Sequence, residues 1–441
     1  MTSDVTTESC PTCPATAADT RGVSRRGLLS GMLGLTAAGY VGLSAPGMST
    51  RLAFASTPSA YEGDVLVVLS LRGGADGLSI VVPTGDPDYL MKRPTIGVPQ
   101  GALLPGDGIF GLHPELKPLQ PLWQSGAFGA VHAVGQMDPT RSHFEALREM
   151  ERGAPGASLR SGWLDRALTQ RGTGTPFQAV NLGDALPTQQ LAGPAPVLAM
   201  SSVNSFVLDI ADGDDATYAA TELARWRRAL TTMYDGASAP IAGPASAALS
   251  ALRTTVGLKR GGYTPAPGAS YDKDSDLAMA LRDLARLIKA GVGLQVAAVE
   301  FDDWDMHDDL GTLSAGRLRG KLRELANALA AFTTDLGPRL ADVTIVTLSE
   351  FGRRVEENGS AGVDHGHGNV SLVIGGGVNG GKVYGSWPGL ADADLDDGDL
   401  AATTDYRALL AEILTKRCGQ PGISTVFPGL ADGPLGIVRA R

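Results

Sequence analysis

Apolar residues along this chain gather into five short runs, each closing in a turn of glycine or polar residues. Asp64–Leu71 is apolar almost throughout, as a strand covered on both faces would be, and it breaks into Arg72-Gly73-Gly74-Ala75-Asp76-Gly77. Phe128–Val134 leads into Met137–His143, and Gly293–Phe301 breaks into Asp302-Asp303-Trp304-Asp305-Met306-His307. Val343–Leu348 ends at Ser349-Glu350-Phe351-Gly352-Arg353-Arg354, and Val370–Ile374 is followed by Gly375-Gly376-Gly377. Between the runs, 277–290 and 316–336 repeat apolar residues at three- and four-residue spacing, and 144–152, 217–232 and 404–416 also read as helices. Strands alternating with helices predict an α/β fold, with a mostly parallel sheet covered on both faces. The Pro-, Gly- and Ser-rich stretches 236–246 and 261–271 read as loops or hinges. Residues 155–275 hold few buried-strand signals and are expected to form an insertion or cap.

The N-terminus follows a different pattern. Arg25-Arg26 precede an apolar, Gly- and Ala-rich run, Leu28–Ala45, and small residues follow at Ala53, Ala55 and Ala60. This reads as a twin-arginine export signal, residues 1–60, cleaved within 53–60. Its glycines make the run too weakly apolar for a retained anchor, so no stable membrane span is expected after cleavage. The expected location is periplasmic, cell-envelope or secreted, with the twin-arginine machinery as a partner. Cys10 and Cys13 precede the signal, which leaves Cys418 alone and excludes an internal disulfide in the mature chain. Residues 61–441 are expected to fold as one domain, large enough to need no such staple.

Charge narrows the partners. The chain carries 37 basic and 47 acidic residues, which argues against nucleic acid. No G-x-G-x-x-G follows the first strand, which disfavours a dinucleotide cofactor.

The chemistry lies in the turns. In a parallel sheet the turns that end the strands converge on one edge, where open α/β sheets place their sites. Asp76, Ser142, His143, Asp305, His307 and Glu350 would then share a crevice, and Asp364-His365-Gly366-His367 would fold back over it. Imidazole and carboxylate so concentrated suit one or two divalent ions of the zinc, manganese or calcium type. The histidines outside these turns read differently. His113, before Pro114, is a cap or turn residue, and His132 lies inside a strand.

Leu71-Arg72-Gly73-Gly74-Ala75-Asp76-Gly77-Leu78, Arg141-Ser142-His143-Phe144, Gly162-Trp163-Leu164, Trp304-Asp305-x-His307, Ser349-Glu350-Phe351-Gly352-Arg353 and Asp364-His365-Gly366 together resemble the exported family called domain of unknown function 1501. That family in turn resembles the alkaline phosphatase and sulfatase superfamily. The resemblance implies a three-layer α/β/α sandwich, alkaline-phosphatase-like, with metal ligands at strand ends and a nucleophile at a helix start. It implies Asp76 as the first ligand, Ser142 as nucleophile, and Asp305 with His307 as a ligand pair. Glu350 matches a strand-end position where relatives have aspartate followed by histidine. Phe351 stands in place of that histidine, and Asp364, His365 and His367 would supply the missing ligands. Arg72, Arg141 and Arg353 would clamp a phosphate or sulfate group, with Arg353 equally able to pair with Glu350 instead, and His143 would position Ser142 or pack beneath it.

The expected function is an exported metal-dependent hydrolase of phosphate or sulfate esters, acting on an anionic small molecule or glycan. The alternative is a non-catalytic envelope or extracellular binding protein on the same fold. Phe351 and the want of a strong nucleophile signature motivate that alternative.

Overall fold

Each of the five apolar runs forms a strand, and all five lie in one sheet. We analysed a computed structural model, which describes residues 61–441 apart from 139, 173, 207–215 and 238, together with a short strand at Tyr40–Val41. Apart from Tyr40–Val41, the expected twin-arginine segment 1–60, with Cys10 and Cys13, lies outside the described residues.

In chain order the main elements are β1 (Val65–Leu71), β2 (Phe128–Gly135), α1 (His143–Arg152), α2 (Trp163–Arg171), β3 (Ala179–Leu182), β4 (Leu198–Met200), α3 (Ala216–Tyr234), α4 (Ala239–Gly261), α5 (Asp276–Ala290), β5 (Val296–Phe301), α6 (Arg317–Leu336), β6 (Val343–Leu348), β7 (Asn369–Gly375), β8 (Val383–Tyr384) and α7 (Tyr406–Lys416). Inward from the Tyr40–Val41 edge, the sheet order is β4-β3-β5-β1-β6-β7-β2-β8. Strand β1 runs parallel to β5 and β6 on either side, pairing Leu66 with Val296 and with Thr344. The sheet is mostly parallel, with β7 antiparallel to both β6 and β2.

Side chains alternate across a strand, so β1 feeds two cores. Val67, Leu69 and Leu71 pack with Leu281 and Leu284 of α5 and Leu322, Leu325 and Leu329 of α6. Leu66 and Val68 pack with Leu164 and Leu168 of α2 and Leu409 and Ile413 of α7 on the opposite face. Each such side chain contributes about 1.5–3 kcal/mol of burial. Helices on both faces make the expected three-layer α/β/α sandwich. Among the described residues no helix is long and apolar enough to cross a membrane.

Two expectations need correction. Residues 155–275 are not an insertion throughout, because β3 and β4 join the main sheet beside β5 and α2 covers one face. These strands are four and three residues long, too short for a periodicity signal. The stretch 236–246 is not a loop, since α4 begins at Ala239.

The antiparallel β7 has a consequence for the site. Parallel β1, β5, β6 and β2 all end at one edge of the sheet, and β7 begins there. The 349–368 segment between β6 and β7 therefore stays at that edge, and with it Asp364, His365 and His367.

His132 is buried in β2, with Nε2 donating to the Val81 carbonyl at 2.9 Å and Nδ1 accepting from the Ala133 amide at 3.0 Å. Both ring nitrogens are satisfied only in the neutral form, and burial lowers its pKa to about 4. The unfolded chain binds this proton from about pH 6.5 downward and the folded chain does not, so the contribution is lost as pH falls from 6.5 to 4. Buried Glu151 and Asp165, both raised by burial to about 7, slope the opposite way across this range. The difference between wild type and His132→Asn isolates the histidine. The variant should reduce the pH slope of unfolding free energy between pH 4 and 6.5 by up to about 1.4 kcal/mol per pH unit. Identical slopes in denaturant titrations would refute this.

Candidate metal centre

Three strand ends and one returning loop deliver the site. After β1, the chain turns through Gly73, whose φ of +111° and close backbone neighbours leave no room for a side chain. A Cβ there would lie 2.6 Å from the Asp305 amide nitrogen. This close approach lets the turns after β1 and β5 pack against each other. After β5 come Asp305 and His307, and after β6 comes Glu350. His143 opens α1, with Ser142 at its N-cap.

The imidazoles of His143, His307 and His365 converge through their Nε2 atoms. His365 Nε2 is 2.9 Å from that of His143 and 3.0 Å from that of His307. Asp305 joins them, with Oδ1 3.1 Å from His307 Nε2 and Oδ2 3.6 Å from His143 Nε2. Ligand atoms of His143, Asp305 and His365 all lie within 4.8 Å of one another.

The outer nitrogens decide what these atoms are. Nδ1 of His143 faces the Glu350 carboxylate at 2.8 Å, Nδ1 of His307 faces Asp364 at 2.8 Å, and Nδ1 of His365 faces the Arg141 carbonyl at 2.8 Å. Carboxylates and carbonyls accept, so each Nδ1 carries the proton and donates it. With its proton on Nδ1, a neutral ring aims an Nε2 lone pair inward. Nε2 atoms 2.9–3.0 Å apart repel unless a proton or a metal ion lies between them, and the Asp305 carboxylate beside them favours either cation. Nitrogens bound at about 2.0–2.1 Å to one ion sit about 3–3.4 Å apart, so the spacing fits a shared ion. Histidines that hold metals donate their other N–H to carboxylates or carbonyls in this way.

Electrostatics support the same assignment. Burial lowers the His365 pKa, the Arg141 carbonyl opposes this, and the charges of Arg353 and the other histidines lower it further. Burial works against charge on Asp305, but the Arg353 guanidinium outweighs it and holds the carboxyl below its usual range. The His307 hydrogen bond likewise lowers the Asp364 pKa. The rings of His143 and His365 rest against Phe351, centroids 4.6 and 4.7 Å away, which fixes their tilt. Phe351 thus supports the cluster from the position where the resemblance led us to look for a further histidine.

The structure brings Asp305, His307 and His365 together as candidate ligands, and it adds His143, expected beside Ser142, to their number. Glu350 and Asp364 stand behind the cluster as hydrogen-bond acceptors for ligand histidines. Asp76 departs from the expectation of a ligand. Its two carboxylate oxygens pair with buried Arg93 at 2.5 and 2.9 Å. His367 also lies apart, with Nε2 donating to the Gln136 carbonyl at 2.6 Å. Arg353 is corrected as an anion clamp. Its side chain is wholly buried and donates to the carbonyls of Gly73, Gly74 and Val363 and to Asp305 Oδ1. Arg141 is half-exposed and spends its guanidinium on Asp397 and Asp399. Sequence reasoning did not single out Arg93 or Asn358, whose Nδ2 bonds the His307 carbonyl and the Asp364 carboxylate. Neither carries a local signal, since both partners are distant in the chain or lie across a loop.

Protein purified without chelator is expected to carry divalent metal, measured by elemental mass spectrometry, and His365→Ala to lose it. Glu350→Gln weakens the acceptor of the His143 proton and should cost about 10–100-fold in metal affinity. Full metal retention by His365→Ala would show that the ion lies elsewhere.

No curated protein matches the chain. Similar crystal structures include the PsFucS1 sulfatase from Pseudoalteromonas sp., at 12% identity and a TM-score of 0.34, covering 86% of this chain and 74% of that one. Another is the lipoteichoic acid synthase LtaP from Listeria monocytogenes, at 9% identity and a TM-score of 0.30, covering 74% and 69%. A family model described as "Protein of unknown function (DUF1501)" matches residues 123–417, and the chain belongs to that family.

Proposed function

We propose that this protein is an exported, metal-dependent hydrolase of phosphate or sulfate esters. The observation that carries this reading is the convergence of three imidazole lone pairs and Asp305 one residue from a free serine hydroxyl at a helix start. His143, Asp305 and His365 would hold the ion, with His307 beside them against His365 and Asp305, and imidazoles with a carboxylate suit zinc better than calcium. Such an ion supplies Lewis-acid polarisation of an ester oxygen.

The chain's own groups supply the rest. Ser142 makes no capping bond with its side chain, so its hydroxyl is available for attack on the ester. The first-turn amides of α1 lack that cap and, with the positive end of the helix, favour an oxyanion beside the hydroxyl. Glu350, Asp364 and the Arg141 carbonyl keep the three imidazoles in one tautomer. Arg25-Arg26 and the apolar run after them support export by the twin-arginine route, to the periplasm, cell envelope or medium.

One observation favours a non-catalytic binding protein instead. His307 stands 3.0 Å from His365 Nε2, and with it as a fourth ligand the set would have the closed pattern of structural ions. Kinetics decides between the two. Metal-loaded protein should turn over phosphate or sulfate esters, and Ser142→Ala should lower kcat by about 10³-fold or more while retaining the metal. Full activity in Ser142→Ala would move the attack to water. No turnover of any such ester by metal-loaded wild type would leave the binding protein.

A further inference from the structure

We infer that the centre takes esters bearing a single negative charge, phosphodiesters or sulfate monoesters, and discriminates against dianionic phosphate monoesters. This rests on the hydrolase reading above and specifies its substrate.

The inference comes from how the positive charges are spent. A dianion needs cationic groups beyond the metal to receive its second charge. The three arginines that suit such a clamp by sequence are each engaged by carboxylates. Arg72 pairs with Glu300, Arg141 with Asp397 and Asp399, and Arg353 with Asp305. Arg353 is further excluded by burial, since its side chain is wholly inaccessible. Arg317, whose guanidinium bonds the Asp305 carbonyl, turns to Asp308 as well.

The mouth of the site is acidic. Asp364 and Asp305 are about half-exposed, and Asp308 and Asp397 are largely exposed. Among the described residues, a second charge on the substrate would meet these carboxylates where the guanidiniums of Arg72, Arg141, Arg317 and Arg353 already face carboxylates. Like charges brought together without compensation oppose binding strongly enough to set specificity. A monoanion needs only the ion and the amides at the start of α1. The second ester group of a diester is neutral where the second charge of a monoester would stand.

The test compares p-nitrophenyl phosphate, bis(p-nitrophenyl) phosphate and p-nitrophenyl sulfate with metal-loaded protein at pH 8. The diester or the sulfate should exceed the monoester in kcat/KM by about tenfold or more. Which of the two is faster separates the phosphorus and sulfur sources of the shared charge. A phosphate monoester gains its proton near pH 6, whereas the other two keep one charge. The ratio of monoester rate to diester or sulfate rate should therefore rise as pH falls through about 6. A binding readout is independent of turnover. Cobalt-substituted protein should change its visible spectrum at lower concentrations of dimethyl phosphate than of methyl phosphate at pH 8. Asp397→Asn, which releases part of Arg141, should raise the monoester rate relative to the diester. A monoester preferred at pH 8, with the other esters also cleaved, would overturn the charge inference and leave the hydrolase standing. If metal-loaded protein cleaves none of the three, the hydrolase reading and this inference both fall.

Discussion

The buried guanidinium of Arg353 is the constraint on which the site is built. It lies between three segments and donates to the carbonyls of Gly73 and Gly74 after β1, to Val363 in the returning loop, and to Asp305 after β5. A charge this deep is costly without partners and fixed in position once they are made. Those partners are the segments that carry the ligands. The same group that ties the backbone together also holds Asp305 ionised at the centre of the cluster. The acid that would balance a metal ion is thus oriented by a residue that solvent and substrate do not reach.

A second layer of contacts sets the chemistry of the imidazoles. Glu350 does two jobs with one oxygen, accepting the Gly73 amide at 2.9 Å and the His143 Nδ1 proton at 2.8 Å. The turn after β1 and the ring at the start of α1 are therefore fixed by the same carboxylate. Asn358 plays a similar part for His307 and Asp364. Such a centre is pre-organised by hydrogen bonds that run through four separate parts of the chain. Its lone pairs already point at one place, so little rearrangement is needed to receive an ion. The surrounding arginines face carboxylates in the same way.

The ligand types were legible because they sit where physics makes the sequence informative. A buried strand reads as an unbroken apolar run, so its end is easily found, and Asp305, His307 and Glu350 follow such ends directly. Asp76 follows one equally well but lies against Arg93, a residue 17 positions away that no pattern connects to it. His367 stands two residues from His365, which in a regular extended segment would put both on one face, yet the chain bends at His367 and turns it to the Gln136 carbonyl. The arginines were misread for a related reason. Arg141 and Arg353 look like free cations in a linear sequence, and their carboxylate partners come from elsewhere in the chain.

By itself, the sequence determined the layered α/β architecture, the edge of the sheet that carries the chemistry, and the residue types gathered there. Those follow from local periodicity and from the rule that parallel strands end on one side. Tertiary structure alone decided that β7 runs antiparallel, that two short strands from 155–275 extend the sheet, and which of the gathered side chains meet. It separated His143, Asp305, His307 and His365 from Asp76 and His367, and it spent the arginines on carboxylates. Hydrogen-bond direction and charge pairing between distant segments made those choices, and they exist only once the chain has folded.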